Sequence, residues 1–316
     1  MTRRLISIAI PAYNESENIP ELRRRLVDVC KSIDHDVEFV ICENGSTDTT
    51  FLELASWRDA DPRVQIIQLS RNFHMEGGMM AALSRVRGDA CVIMSADLQD
   101  PPEMIPEMIR LWESGIEHVY TVIKKRHGES RFRRVAAEIF YSIINRVSET
   151  PVPRNASDFR LVDRQMYTVF NQLPEKFRMV RSVWGWIGFQ SRFLEYERPA
   201  RRAGKSSFNP FVTAGFALRG VLASSLSPLK SIPIVGLSLA ALTFLSLVLN
   251  VLRAFIEGVP FPGFGTITSL ILGLFGLLFI LLSVLAEYIG MIYVETRSRP
   301  PFVERINPRD TSSNPS

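Results

Sequence analysis

The amino-acid sequence predicts an α/β protein: a doubly wound, mostly parallel sheet, followed by amphipathic interface helices and a two-helix transmembrane hairpin. Three observations carry this. Over residues 1–125, short apolar runs rich in valine and isoleucine alternate with helical patterns, the signature of βαβ units. Most of these runs are apolar on successive positions, as strands covered on both faces are. Near the end, Ile232–Leu252 and Ile267–Leu285 carry no charge at all.

Strands are expected at Leu5–Ile10, Val37–Cys42, Val64–Leu69, Ala90–Ser95 and Val119–Ile123. Helices are expected at Pro20–Ile33, Thr49–Arg58, Gly77–Val86 and Pro102–Glu113, each opening near a Ser, Thr, Asp or Pro that suits a helix N-terminus. Sheets of this kind bind ligands at the carboxyl ends of their strands. The polar loops Tyr13–Glu17, Glu43–Asp48 and Asp97–Asp100 fall there. Residues 126–230 are less regular. They hold a basic helical stretch (Arg131–Arg146), a break at Pro151 and Pro153, the segment Asp158–Val169, an aromatic patch at Trp184–Phe189 and a basic loop at Arg198–Lys205. Phe208–Leu229 reads as amphipathic helices interrupted at Pro210 and Pro228, lying in a membrane interface.

Each uncharged run is close to the ~20 residues that span a bilayer. A pair of buried soluble helices is the competing account, but uncharged runs this long are rare in soluble domains. Lys230 precedes the first span, Arg297, Arg299, Arg305 and Arg309 follow the second, and only Arg253 lies between. This asymmetry places both termini in the cytoplasm. The opening apolar stretch stops at Pro11, too short for a signal-peptide core. The expected division is a cytoplasmic domain over 1–207, juxtamembrane helices over 208–230, a hairpin over 231–294 with spans near 232–252 and 267–286, and a cytoplasmic tail over 295–316. The chain would then be a multi-pass protein of the inner membrane.

Hydrophobic residues make up 46% of the 316 and charged residues 22%, which permits a packed core and excludes disorder as the theme. The net charge of +4 is mild and gathers at 23–25, 124–134, 198–205 and 297–309. Such clusters suit phosphates and lipid headgroups; no nucleic-acid partner is expected. For 23–25 a solvated helix face is the simpler account. Three cysteines, Cys30, Cys42 and Cys91, fit no zinc spacing and read as buried free thiols.

Neither a Walker loop nor Gly-x-Gly-x-x-Gly follows the first strand, which argues against a P-loop ATPase and an ordinary dinucleotide enzyme. Three other groups carry chemistry. Ile10-Pro-Ala-Tyr-Asn-Glu and Glu43-Asn-Gly-Ser-Thr-Asp each follow a strand and suit a nucleobase edge and ribose hydroxyls; read alone, they are also ordinary capped turns. In Ser95-Ala-Asp-Leu-Gln-Asp-Pro-Pro, Asp97 and Gln99 offer oxygens suited to Mg²⁺ or Mn²⁺ bridging a diphosphate, while Asp100 reads as a helix cap before Pro101. Arg126-His-Gly-Glu-Ser with Arg131, Arg133 and Arg134, and later Arg201-Arg-Ala-Gly-Lys-Ser, suit phosphate oxygens or, equally, anionic lipid in general.

Together Ser7-Ile-Ala-Ile-Pro-Ala-Tyr-Asn-Glu, Asn44-Gly-Ser-Thr-Asp, Ser70-Arg-Asn-Phe, Ala96-Asp-Leu-Gln-Asp-Pro-Pro, Gly128-Glu-Ser, Asp158-Phe-Arg-Leu-Val-Asp-Arg and Glu287-Tyr-Ile-Gly resemble the polyprenyl-phosphate glycosyltransferases of glycosyltransferase family 2, in order and along nearly the whole chain. That group includes dolichol-phosphate mannose synthases and bactoprenol glucosyltransferases. The resemblance implies a GT-A fold and an inverting, metal-dependent transfer of a hexose from a nucleotide sugar, UDP-glucose first, to polyprenyl (undecaprenyl) phosphate for cell-surface glycan modification. By position it implies that Pro11, Tyr13, Glu15 and Glu43, with Ser95, line the nucleotide. Asp97 and Gln99 would meet the metal, Asp158 would stand by the reacting centre with Asp97 as the other catalytic carboxylate, and Arg131, Arg134 and Arg201 would face the acceptor phosphate. A homo-oligomer packed through the hairpins is expected. The chain departs from the family at Ser95, where Asp-x-Asp is usual, at Glu43-Asn44, where Asp-Asp is usual, and at Ser207, where a Lys is common. The Ser95 departure opens a second reading, a catalytically silent relative that binds polyprenyl phosphate or a partner glycosyltransferase. A processive polysaccharide synthase would need more spans and a Gln-x-x-Arg-Trp motif, which this sequence lacks.

Overall fold

The computed structural model describes residues 3–125, 155–174, 180–199, 263–297 and 299–305, with isolated positions between 238 and 256. The elements run β1 (Leu5–Ala12), α1 (Ile19–Cys30), β2 (Asp36–Glu43), α2 (Thr50–Ala60), β3 (Val64–Gln68), α3 (His74–Leu83), β4 (Ala90–Ile93), a 3-10 turn (Pro102–Met104), α4 (Ile105–Glu113), β5 (His118–Lys125), β6 (Ala156–Asp163), α5 (Arg164–Gln172), α6 (Val180–Ile187), β7 (Ser191–Glu197) and α7 (Phe264–Thr296).

The strands form one sheet in the order β3-β2-β1-β4-β6-β5-β7. Its β1–β2, β1–β4, β2–β3 and β5–β7 pairs are parallel, and β6 is antiparallel to both β4 and β5. One reversed strand among seven makes the sheet mixed, and mostly parallel as expected. All five expected strands form, within a few residues of their expected ends.

Alternation along each strand sorts the core into two layers. Ile6, Ile8, Ile10, Phe39 and Ile41 meet Leu22 and Leu26 of α1, Trp57 of α2 and Met108 of α4. Ala9, Val40, Cys42 and Cys91 meet α3, Met166 and Phe170 of α5, and Trp184 of α6. Helices therefore cover both faces. Glu38, set within an otherwise apolar run, is buried, and its charge is matched by Arg87 at 2.9 Å and by the Ser7 hydroxyl at 2.6 Å.

Arg24 pairs with Glu21 and Asp28, and Arg25 with Glu103, so within the 23–25 cluster Arg24 is on the solvated face expected of it, while Arg25 is partly covered. All three cysteines are free; Cys42 and Cys91 are buried as expected, whereas Cys30 is only partly covered.

Two strands were not expected. In β6 the charged Asp158 and Arg160 interrupt the apolar run, and in β7 only Tyr196 is buried. Arg131–Arg146, Phe208–Leu229 and nearly all of the first expected span lie outside the described residues. The helix at the second expected span is longer than predicted: α7 has 33 residues, about 50 Å at ~1.5 Å each. Glu287 ends the uncharged run but not the helix, since Ala, Glu and Met continue a helix readily. Within α7, Gly273–Tyr293 is long and apolar enough to cross a membrane. Leu270, Phe275, Phe279 and Ile280 on it are exposed.

After α7 the chain returns to the sheet. Glu304 bridges Leu69 in antiparallel fashion, the Ser70 N–H donates to Val303 O (2.9 Å), and the Arg305 N–H donates to Gln68 O (2.7 Å). Arg85 pairs with Glu304 at 2.9 Å, and Phe302 packs on the second core layer. This strap covers the carboxyl end of the β3 edge, which would otherwise present unpaired backbone groups. Proline at position 305 removes one strap donor. Arg305→Pro is expected to raise hydrogen exchange at Ser70 roughly fivefold or more while β1 and β4 amides stay protected; exchange read by mass spectrometry checks this.

Candidate active site

The carboxyl ends of β1, β2 and β4 open onto one rim, and β6, running the other way, begins at that rim. Backbone strain gathers there. The non-glycine residues with positive φ among the described ones are Asn14 (53°), His74 (61°), Leu98 (60°) and Asn155 (56°), and all four lie in rim segments. Such conformations cost about 1–3 kcal/mol each and persist where the surroundings fix them.

Two polar loops are stitched together at the rim. The Asn14 N–H donates to Ser46 Oγ (3.1 Å), the Thr47 N–H to Asn14 Oδ1 (2.8 Å), the Glu15 N–H to Thr50 Oγ1 (2.8 Å) and the Ser16 N–H to Asp48 Oδ2 (3.3 Å). The buried Asn44 adds a third loop: its Nδ2 donates to His74 O (2.7 Å), and its Oδ1 accepts from the Phe73 N–H (3.0 Å). Gly45, at φ 68°, lies so close that a Cβ would stand 2.3 Å from the Arg71 carbonyl carbon, so only glycine fits.

A fourth loop follows β4. The Asp97 Oδ1 accepts from the Gln99 N–H (3.1 Å), and the buried Leu98 side chain anchors the strained backbone between them. Asp100 caps no helix. Its carboxylate is buried and accepts from the Ser95 N–H (2.9 Å), Tyr196 OH (3.2 Å) and Ser157 Oγ (3.5 Å). Burial, with the charges of Asp97 and Asp158 nearby, raises its pKa above the usual carboxylate range, and burial pushes the Tyr196 phenol up to about 12.

Asp158 reaches the same loop through the sheet. Ile93 pairs with Arg160 in antiparallel register, so Asp158, two residues earlier, lies beside the chain that runs on from Ile93 through Ser95. Arg160 is buried, donates to Ser157 O (2.8 Å) and stands 3.8 Å from Asp158.

Residues 7–170 match the family model of glycosyl transferase family 2. The chain belongs to that family. A bactoprenol glucosyl transferase of Shigella phage SfX is 34% identical over 298 residues, covering 94% of this chain and 98% of that one. A prophage bactoprenol glucosyl transferase homolog of Escherichia coli is 32% identical over 298 residues, covering 94% and 97%. An uncharacterized glycosyltransferase of Synechocystis is 35% identical over 300 residues, 94% of each.

In this glycosyltransferase the fold brings Pro11, Tyr13, Glu15, Glu43, Ser95, Asp97, Gln99 and Asp158 to one rim. Tyr13 is exposed on it. Glu15 and Glu43 are buried and partly committed to their own loops, Glu15 Oε2 accepting from Asn18 (2.6 Å) and Glu43 from the Ser46 N–H. Arg131, Arg134 and Arg201 lie outside the described residues. The motif reading carries Asn44 as part of a nucleotide-suited loop and as a departure from the family's pattern, not as the clasp between loops, and it singles out neither Tyr196 nor Arg160.

Ser95, Asp97, Gln99 and Asp158 supply oxygens, and no group of three His, Cys, Asp or Glu that could hold a metal ion occurs among the described residues. This set fits Mg²⁺ or Mn²⁺ held by one or two carboxylates and completed by substrate phosphates, and does not form an all-protein cage. Asn44→Ala leaves the partly buried Phe73 N–H and His74 C=O without their partner and is expected to destabilise the chain by about 1–3 kcal/mol, measured as a lowered thermal midpoint of the full chain in detergent.

Proposed function

We propose that the chain transfers a hexose, glucose from UDP-glucose first, to polyprenyl phosphate at the cytoplasmic face of the inner membrane, with inversion at the anomeric carbon. The observation that carries this is the meeting of the Asp97 loop and Asp158 on the rim where two polar loops are already locked together. Relatives along 94% of the chain, named as bactoprenol glucosyl transferases, support a lipid-phosphate acceptor. The apolar, exposed surface of α7 supports a membrane anchor.

In this reading Pro11, Tyr13, Glu15 and Glu43 frame the nucleotide, with Ser95 at the edge of the same pocket. Asp97 and Gln99 would hold Mg²⁺ or Mn²⁺, which when bound would supply positive charge to offset that of a diphosphate leaving group. The acceptor's phosphate oxygen attacks the anomeric carbon, the bond to the diphosphate oxygen breaks, and the nucleoside diphosphate leaves with the bonding pair. A phosphate monoester has its second pKa near ~6, so the nucleophile needs little help from a base. Catalysis then rests on positioning and charge. Asp158, steadied by Arg160, orients the reacting groups. Arg131, Arg134 and Arg201 receive the acceptor phosphate, and a homo-oligomer forms through the hairpins.

Ser95 favours one competing reading, a silent relative that binds the lipid phosphate without transferring sugar. A hydroxyl in place of a carboxylate weakens the grip on a divalent cation. The deciding assay mixes detergent-purified chain, undecaprenyl phosphate, Mg²⁺ or Mn²⁺ and labelled UDP- and GDP-sugars, and scores label in the lipid phase. Asp97→Ala is expected to abolish transfer with the fold intact, and Ser95→Asp to lower the metal concentration at half-maximal rate. Full activity in Asp97→Ala sinks the metal assignment. No label from any donor with folded wild-type chain favours the silent relative.

A further inference from the structure

Arg198 follows β7 directly. Because β7 is parallel to β5, and both β5 and β4 are antiparallel to β6, the end of β7 opens on the same rim as the end of β4. The chain on either side of Arg198 is tied to the Asp97–Asp100 loop. Tyr196 OH donates to Asp100 Oδ1 (3.2 Å), and Gln99 Nε2 donates to Pro199 O (3.4 Å). Arg198 is therefore fixed beside the proposed metal-binding loop by contacts its own side chain does not make.

The side chain itself is unspent. Arg198 Nε is buried and has no hydrogen-bond partner, and no ion pair of Arg198 occurs among the described residues. A buried charged donor without an acceptor is costly unless something else supplies one. Two acids of the same loop cluster are already engaged: Asp100 accepts from three donors, and Asp158 stands near Arg160.

We propose that Arg198 is a phosphate-oxygen ligand of the reacting complex, with Nε and an Nη forming the two-pronged contact that a guanidinium makes with a phosphate. This rests on the transfer reaction proposed above. Two phosphates meet at that rim, the diphosphate that leaves and the lipid phosphate that attacks, and both offer the same oxygens.

The experiment uses the full chain in detergent as wild type, Arg198→Gln and Arg198→Lys. It measures the Kd of uridine diphosphate by calorimetry without acceptor, the KM for undecaprenyl phosphate at saturating UDP-glucose, and the thermal midpoint. If Arg198 holds the diphosphate, Arg198→Gln weakens uridine diphosphate about ten- to hundredfold and leaves the acceptor KM in place. If it holds the lipid phosphate, the acceptor KM rises by a similar factor and the diphosphate Kd is unmoved. In either case Arg198→Lys recovers part of the loss and the midpoint stays within the wild-type range. Unchanged Kd and KM in Arg198→Gln overturn the inference while leaving the transfer reaction standing. A fall in the midpoint of both variants, with no change in Kd or KM beyond it, assigns Arg198 to the fold and overturns it as well. A wild-type chain that transfers no sugar defeats the transfer reading, and the diphosphate arm then still decides whether Arg198 holds a phosphate.

Discussion

One buried carboxamide holds the site together. Asn44 leaves β2 and, with both ends of its side chain, grips the backbone of the 70–74 loop, while its neighbours are laced to the loop after β1. Three excursions of the chain, far apart in sequence, become one surface. An amide is suited to this because it donates and accepts at once. A carboxylate there would meet the Phe73 N–H well and the His74 carbonyl badly. The Glu43-Asn44 pair, which departs from the family's usual two acids, therefore has a structural reason on its second residue.

The loop after β4 is held by a different device. Its backbone is strained at Leu98, and the strain is held by what lies beneath: an apolar side chain in the core, and the Asp100 carboxylate closing the loop from below. The exposed part of the loop is thereby freed from structural duty. Asp97 keeps only a local hydrogen bond to Gln99, and Ser95 contributes a backbone donor to the clasp while its side chain remains available. A hydroxyl in place of a carboxylate at Ser95 changes the charge of the rim without loosening the loop.

The sequence was legible where burial is repetitive. Five strands and four helices followed from apolar runs and capping residues, and the topology rule put the right loops on the right rim. It was not legible where a charge is buried on purpose. Arg160 is almost fully enclosed, satisfied by Ser157 O and Asp158, and it breaks the apolar pattern that would have marked β6. In β7, an edge strand with a single buried side chain, there is little periodicity to read. Asp100 looked like a cap because two prolines follow it, yet its partners are Tyr196 and Ser157, 96 and 57 residues away, and no local pattern encodes such distances. Tyr196 escaped the motif reading for the same reason, and Arg198 entered it only as the first residue of a basic loop.

The strap has a positional meaning. The described chain leaves the sheet after β7, at one border, and rejoins it beside β3, at the other. Six strand spacings of ~4.8 Å separate those borders, about 29 Å. Both borders are met at the carboxyl ends of their strands, at Pro199 after β7 and at Gln68–Ser70 after β3. The two fastenings therefore flank, like bookends, the rim that carries Asp97 and Asp158.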